Sequence, residues 1–247
     1  MKSWRKNNVA PATLTSLQVA QEVAGLNSLV AKGVELTSKN FKSAIYAAHD
    51  VKVQLIRDQH AKCAYCETSL LPIACGEVEH YRPKTGYSQQ RGKSYKPAYY
   101  WLAYEWKNLM AACPACNRKK GTFFPLMTAK ARDIIHQNIQ NEDPLILNPY
   151  VDIVEEHLEY RMYKIFPKNN TDGSEDIRGR VTIDEVELNR SDLEEARRRV
   201  WFDFQFERQG MTYADGLKRT ESKMNASGLT KDDVQYQNMF YNQIIRI

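Results

Sequence analysis

The sequence has no uninterrupted apolar run near the roughly 20 residues that a membrane-spanning helix needs, although 43% of its 247 residues are hydrophobic. It also has no G-x-x-x-x-G-K-[ST] loop, which argues against nucleotide hydrolysis by this chain. The segment Met1–Lys6 lacks the apolar stretch of a secretory signal. There is no internal repeat and no long low-complexity tract. These absences predict a globular, cytoplasmic protein that does not hydrolyse nucleotides.

Charge is distributed unevenly along the chain, and the net value of +5 hides this. Residues 1–60 contain 8 Lys and Arg against 4 Asp and Glu, residues 61–130 contain 11 against 4, and residues 131–247 contain 16 against 22. The net charge of +7 in the middle segment favours a polyanionic partner, whereas −6 in the C-terminal segment disfavours one.

Five cysteines are present, and four of them form two C-x-x-C pairs inside the basic segment, Cys63/Cys66 and Cys113/Cys116. Two such pairs can close a tetrahedral thiolate shell around Zn²⁺. Four thiolates leave no position for a water molecule, so this zinc is predicted to be structural and not catalytic. The remaining residue, Cys75, is predicted to be an unliganded thiol.

Hydrophobic periodicity predicts helices over residues 12–32 and 40–60. It also predicts a short strand at residues 78–81, a helix or turn over residues 117–121 and a helical stretch over residues 133–141. These elements surround the two cysteine pairs.

The segment of residues 99–106 is densely aromatic, with the sequence YYWLAYEW. Aromatic side chains near basic residues can stack on nucleic-acid bases. A cluster this apolar beside a metal site is more typical of a small core, and we expect that role here.

The C-terminal part is predicted to contain a hairpin followed by a helix. Alternating apolar residues over 158–165 indicate a half-buried strand, residues 169–173 indicate a turn, and Val181 and Ile183 are expected to complete the hairpin. A capping box, SDLE, predicts a helix over residues 192–208.

Three segments lie at or beside the cysteine pairs: CAYC (63–66), VEHYRPK (78–84) and WKNLMAACPACNRKKG (106–121). Together they resemble the HNH nuclease family, which has a ββα-metal fold. The resemblance implies that His80 is the general base, that Glu79 and Asn117 bind Mg²⁺ or Mn²⁺, and that Asn108 braces the loop presenting His80. Glu77 remains an alternative to Glu79 as the ligand. Asn117 stands where many members have His, and its amide suits a hard cation better than a soft one.

Basic residues that follow these motifs are expected to contact backbone phosphates, which position a nucleic acid without reading its sequence. A solvated helix face is the alternative explanation for the last three of them. The five residues are Arg82, Lys84, Arg118, Lys119 and Lys120.

Further segments carry a narrower resemblance, namely YYWLAYEWKNL (99–109), FFPL (123–126), PLILNP (144–149) and VTIDEVELNRSDLEEAR (181–197). The sequence is similar to the HNH component of Septu-type and retron-associated anti-phage systems over roughly residues 1–200. In that family the nuclease works with an ABC/SMC-like ATPase partner, in some systems together with a retron reverse transcriptase and its RNA/DNA. The resemblance therefore implies a metal-dependent HNH endonuclease of bacterial antiviral defence, with DNA favoured as substrate and RNA or tRNA as the alternative.

The expected fold is α+β and mainly helical, with an embedded ββα-metal HNH core stapled by the four-cysteine zinc site and a C-terminal hairpin-and-helix region. Residues 1–60 are expected to form an N-terminal helical region and residues 61–140 the nuclease core with its zinc knuckles. Residues 141–247 are expected to form an α/β accessory region for protein docking, with a last helix over residues 231–247.

Two other functions compete with the nuclease. One is a catalytically inactive zinc-knuckle subunit for nucleic-acid binding or assembly. The other is a stand-alone restriction or homing enzyme, which would need a separate recognition module.

Overall fold

The computed structural model describes residues 1–71 and 76–207, together with Asp215, Lys218 and Ser222. Cys75 and the predicted helix over residues 231–247 lie outside this part of the chain. The first half contains the helices α1 (Leu17–Ala31), α2 (Ser43–Tyr46) and α3 (His49–Asp58), the strands β1 (Glu77–His80) and β2 (Leu109–Ala112), and the helix α4 (Pro114–Lys120). The second half contains α5 (Val154–His157), β3 (Leu158–Arg161), β4 (Lys164–Pro167), α6 (Ile177–Glu185) and α7 (Ser191–Glu207).

The described helices include none that is both long enough and apolar enough to cross a lipid bilayer. Helices and two small antiparallel sheets together form a mixed architecture, which confirms the α+β class.

The two helices predicted before the first cysteine pair are present, but each is interrupted. A short 3-10 turn precedes α1, and Ser16 between them is extended with ψ 155°. The second prediction corresponds to α2 and α3, which are separated where Ala48 is extended with ψ 158°. The predicted helical stretch over residues 133–141 is wrong. There Asp133 and Asn138 form an isolated β-bridge, and Gln137 has a positive φ of 56° that a helix does not accommodate.

β1 and β2 pair in antiparallel register and lead directly into α4. Glu79 lies opposite Met110, and His80 lies opposite Leu109. A single residue, Cys113, separates β2 from α4 and caps the helix, because its sulfur accepts the backbone N–H of Cys116. These three elements bring the Glu-His pair and the second cysteine pair into one local unit.

The C-terminal hairpin exists, but its predicted second strand is wrong. A single strand was predicted over residues 158–165. β3 lies within this range, whereas β4 begins near its end and continues to Pro167, with Tyr160 paired to Ile165. The chain reverses at Met162, whose φ is 57°. Val181 and Ile183 belong to α6 instead. The alternating pattern continues through a two-residue turn without Gly or Asn, so the sequence did not reveal the reversal.

α6 packs closely against the start of the hairpin. Asp176 caps the helix by accepting the Gly179 N–H at 2.7 Å. A Cβ atom on Gly179 would lie 2.4 Å from the carbonyl oxygen of His157, so only glycine permits this approach. The predicted C-terminal helix is confirmed as α7, which begins one residue earlier, at Ser191.

A hydrophobic core extends through both halves of the described chain. Trp4 links three segments, because its indole N–H donates to Ala64 O at 3.2 Å and its backbone N–H donates to Pro149 O at 2.7 Å. The aromatic segment predicted to fill a core does so, which favours packing over base stacking. Its buried rings are Tyr99, Tyr100, Tyr104 and Trp106.

Candidate functional site

Four cysteine sulfurs form a compact buried cluster. The Sγ atoms of Cys63, Cys66, Cys113 and Cys116 all lie within 4.8 Å of one another. The Cys66 and Cys113 sulfurs are 3.7 Å apart, close to the ~3.8 Å that a tetrahedral site with Zn–S bonds of about 2.3 Å requires. Among the residues that the structure describes, these four cysteines are the one set of three or more His, Cys, Asp or Glu side chains close enough together to hold a single ion. The donor set fits a structural zinc.

Backbone and side-chain donors surround the cluster. Cys113 N–H points to Cys63 Sγ at 3.3 Å, and the guanidinium of Arg190 lies 3.5 Å from Cys116 Sγ. Hydrogen bonds to thiolates reduce their mutual repulsion and orient them for a metal. Arg190 thereby connects the segment before α7 to the cysteine cluster.

His80 ends β1 and is held by its imidazole Nε2, which lies 2.9 Å from Ala103 O. A carbonyl oxygen only accepts, so Nε2 carries the hydrogen and Nδ1 has the lone pair in the neutral ring. Burial lowers the pKa of His80 well below its usual value, and Lys84 adds to this effect. The imidazole is therefore neutral at physiological pH, as a general base must be.

Asn108 clamps the segment that follows His80. Its Oδ1 accepts the Arg82 N–H at 2.8 Å, and its Nδ2 donates to Arg82 O at 3.0 Å and to Leu102 O at 3.1 Å. The side chain is only 4% exposed, so water does not compete for these bonds. One amide thus ties the residues after His80 to those before Ala103, which contacts the His80 ring.

Two polar pairs join β1 to α4. Lys120 Nζ lies 2.6 Å from Glu79 Oε1, and both side chains are buried. Asn117 Nδ2 donates to Glu77 Oε2 at 2.6 Å near the surface. Burial raises the pKa of Glu79, while the ammonium of Lys120 opposes the rise. The structure therefore brings Glu79, Glu77 and Asn117 to one side of the unit but pairs Asn117 with Glu77.

The five basic residues predicted to contact phosphate have different surroundings. Arg118 and Lys119 are exposed on α4, and Lys119 pairs with Glu187 at 2.6 Å. Lys84 is half-buried beside His80. Arg82 pairs with the buried Glu142 at 2.9 Å and Lys120 pairs with Glu79, so both would have to leave a carboxylate to reach a phosphate.

Tyr46, at the end of α2, contacts the site although no sequence motif indicated this. Its ring meets the His80 imidazole edge-on with a centroid distance of 4.7 Å, and Lys84 Nζ lies 4.7 Å from the Tyr46 centroid. Tyr46 is 34 positions from His80 and belongs to no local motif. Only tertiary packing brings it there.

Fold and site together define a mixed helix-and-sheet protein in which a buried four-cysteine cluster lies beside a strand that presents a Glu-His pair. No family model matches the chain. The chain is 33% identical over 180 residues to the Septu protein PtuB of Bacillus mycoides (strain KBAB4), a match covering 72% of this chain and 59% of that protein. It is 27% identical over 169 residues to the Septu protein PtuB of Bacillus thuringiensis, covering 67% of this chain and 52% of that protein.

A third relative has a different Septu name. The chain is 29% identical over 148 residues to the Septu protein PtuA of Bacillus mycoides (strain KBAB4), covering 59% of this chain and 20% of PtuA. The chain spans between about half and three-fifths of the length of the two PtuB proteins. The chain is thus similar to Septu PtuB proteins, which confirms the Septu resemblance predicted from its motifs.

Proposed function

We propose that this protein is a metal-dependent HNH endonuclease that hydrolyses phosphodiester bonds of nucleic acid in anti-phage defence. The observation that carries the proposal is the orientation of His80, whose Nε2 is held 2.9 Å from Ala103 O. This contact leaves Nδ1 as the basic nitrogen of a buried, neutral imidazole.

His80 is the general base of the proposed reaction. A water molecule attacks phosphorus, its proton passes to Nδ1 of His80, and the bond to the leaving oxygen breaks. Asn108 supports this role without touching substrate, because its three hydrogen bonds fix the backbone on either side of the imidazole. A base held in this way needs little reorganisation before it accepts the proton.

A divalent cation, Mg²⁺ or Mn²⁺, is proposed to be held by Glu79 and Asn117. When bound, such a cation stabilises the negative charge that develops on the phosphate and the leaving oxygen. The contact between Asn117 Nδ2 and Glu77 leaves the amide oxygen as the ligand atom and assigns Glu77 an orienting role. A carboxylate has several lone pairs, so Glu79 can contact Lys120 and a cation together.

Nucleic acid is proposed to approach the face of α4 and the loop after β1. Lys84, Arg118 and Lys119 are proposed to contact its phosphates. Arg82 and Lys120 are paired with buried carboxylates, whereas the pair of Lys119 with Glu187 is exposed. Such contacts position the backbone without sequence readout. DNA is the favoured substrate, with RNA or tRNA as the alternative.

The resemblance to Septu and retron-associated systems supports an ABC/SMC-like ATPase subunit as partner, in some systems with a retron reverse transcriptase and its RNA/DNA. Two differently named Septu proteins, PtuB and PtuA, occur in one Bacillus mycoides strain, which fits a system of more than one protein. The net charge of −6 over residues 131–247 favours protein contact there over nucleic-acid contact. Co-purification from the native operon tests the partnership.

A cleavage assay tests the nuclease. The protein and its operon partners are incubated with DNA or RNA in the presence of Mg²⁺ or Mn²⁺, and His80→Ala is compared with the parent. We expect the variant to lose activity. The matched control is His136→Ala, because His136 is exposed and its ring contacts the carboxylate of Asp133, which belongs to no part of the candidate site. The proposed mechanism is wrong if His80→Ala cleaves as well as His136→Ala.

One observation favours the inactive zinc-knuckle alternative, namely that the Lys120 ammonium already neutralises Glu79. A pure binding module would retain zinc but would show no second, weaker site for Mn²⁺. Titration of the zinc-loaded protein with Mn²⁺, followed by electron paramagnetic resonance, separates the two functions. Loss of Mn²⁺ binding in Glu79→Gln supports the nuclease.

A further inference from the structure

The lone pair of the proposed general base is already occupied. Lys84 Nζ lies 3.3 Å from His80 Nδ1, and an ammonium can only donate. Because Nε2 of the same ring donates to Ala103 O, a neutral imidazole has Nδ1 as its one acceptor. The Lys84 contact therefore uses the nitrogen that has to take a proton from water.

Aromatic rings hold Lys84 in this position. Its Nζ lies 4.7 Å from the ring centroid of Tyr46 and 5.8 Å from that of Phe41. Tyr46 also packs edge-on against His80, so one ring fixes both the lysine and the imidazole. Tyr46 comes from α2, so this helix and the residue Phe41 before it form one wall of the site.

We propose that Lys84 is a catalytic residue that moves its ammonium from His80 Nδ1 to a nonbridging oxygen of the bound phosphodiester. The proposal rests on the nuclease function and adds a requirement, which is that the base becomes available only when substrate is present. An oxyanion attracts an ammonium more strongly than a neutral nitrogen does. The flexible four-carbon stem of lysine allows the ammonium to turn between the two acceptors.

Once Lys84 has moved, the reaction is a hydrolysis of the phosphodiester by one water molecule. The water oxygen forms the new P–O bond, its proton goes to Nδ1 of His80, and the leaving oxygen is protonated from solvent as its bond breaks. Lys84 keeps its three protons and stabilises the charge on the phosphate. Tyr46 acts as a positioning residue, because it contacts Lys84 and His80 but not the reacting atoms.

Nitrogen-15 spectra of the histidine side chains test the proposal directly in the full chain. The probe is a DNA oligonucleotide with phosphorothioate linkages, added without Mg²⁺ or Mn²⁺ so that no cleavage occurs. We expect the Nδ1 resonance of His80 to shift when wild-type protein is saturated. In Lys84→Met the resonance should already be shifted in the protein alone, and the oligonucleotide should not move it further.

Two controls make the readout specific. Lys119→Met removes a nearby exposed ammonium and should leave the resonance of the protein alone at its wild-type position. Tyr46→Phe keeps the ring and should retain the wild-type resonance, whereas Tyr46→Ala should shift it toward that of Lys84→Met. The proposal is overturned if saturating DNA leaves the wild-type Nδ1 resonance unchanged, or if Lys84→Met has the wild-type resonance.

Steady-state kinetics add a second readout. Because Lys84 would stabilise charge in the transition state, Lys84→Met is expected to lower kcat about 100-fold. An increase in KM with unchanged kcat would overturn the catalytic role and leave only binding. The His80→Ala assay separates this proposal from the nuclease itself. If His80→Ala is inactive and the Nδ1 resonance does not respond to DNA, only the role of Lys84 is wrong.

Discussion

The Lys120 ammonium lies 2.6 Å from the Glu79 carboxylate, and neither side chain is more than 7% exposed. Lys120 also donates to the carbonyl oxygen of His80 at 3.1 Å, so one cation contacts both residues of the Glu-His pair. Its position three residues after Asn117 places the two side chains on the same face of α4. The last turn of α4 therefore helps to shape the candidate site.

Removal of Lys120 should destabilise the protein strongly. Lys120→Met leaves a buried carboxylate unpaired, and we expect the free energy of unfolding to fall by about 3–5 kcal/mol. Lys119→Met, which breaks an exposed pair with Glu187, should change it by less than about 1 kcal/mol. Urea denaturation measures both. Equal effects of the two substitutions would contradict a buried ion pair.

The cysteine cluster should bind one zinc ion that the fold requires. We expect elemental mass spectrometry to detect zinc in the purified protein. The variants Cys63→Ser and Cys113→Ser should lose both the zinc and the cooperative thermal unfolding transition. Cys75→Ser is the control and should retain zinc. A metal-free protein with the melting temperature of the parent would refute a structural zinc.

Asn108 should affect activity beyond its effect on stability. Asn108→Ala removes three hydrogen bonds of a buried residue and is expected to lower stability by about 2–3 kcal/mol. Asn189→Ala is a matched control, because Asn189 makes a similar two-way contact with Ile165 at 3.0 and 2.7 Å, away from His80. Both variants should be destabilised, but only Asn108→Ala should lose cleavage. Comparable cleavage by the two would exclude a bracing role.

Lys6 should make stability depend on pH. Burial lowers the pKa of Lys6 to about 7 from 10.5. Between pH 10.5 and pH 7 the unfolded chain binds more protons at Lys6 than the folded protein does. The stability contribution is therefore fully present above pH 10.5 and is lost as the pH falls from 10.5 to about 7. The free energy of unfolding should rise by up to about 1.4 kcal/mol per pH unit from this proton. Lys6→Met should flatten that slope in urea titrations at pH 7 to 9, whereas the exposed Lys39→Met should not.

Gly179 should not tolerate a side chain. Gly179→Ala would place a Cβ 2.4 Å from the carbonyl oxygen of His157, and the shift of α6 that relieves it should lower stability by about 1–3 kcal/mol. Gly25 on α1 has no atom within 4 Å of its Cβ position, and Gly25→Ala should stabilise the protein by up to about 1 kcal/mol. Thermal unfolding distinguishes the two. A neutral Gly179→Ala would show that α6 is not packed this closely.

The sequence alone determined the local chemistry. The C-x-x-C spacing predicted the four-cysteine cluster, because two cysteines three residues apart can bind the same ion and two such pairs supply four ligands. The periodic segments predicted most helices, and the Septu resemblance followed from motifs that are continuous in the chain. These features depend on neighbours within a few residues, so pattern and spacing reveal them.

Only the tertiary structure decided which groups meet across long separations. It placed Tyr46 against His80, paired Lys120 with Glu79, and oriented Nε2 of His80 toward Ala103 O. Lys120 is buried, whereas its neighbours Arg118 and Lys119 are exposed. The run of three basic residues in the sequence did not reveal this difference. Such contacts arise when the hydrophobic core closes, because packing selects the rotamer and the partner of each buried polar group.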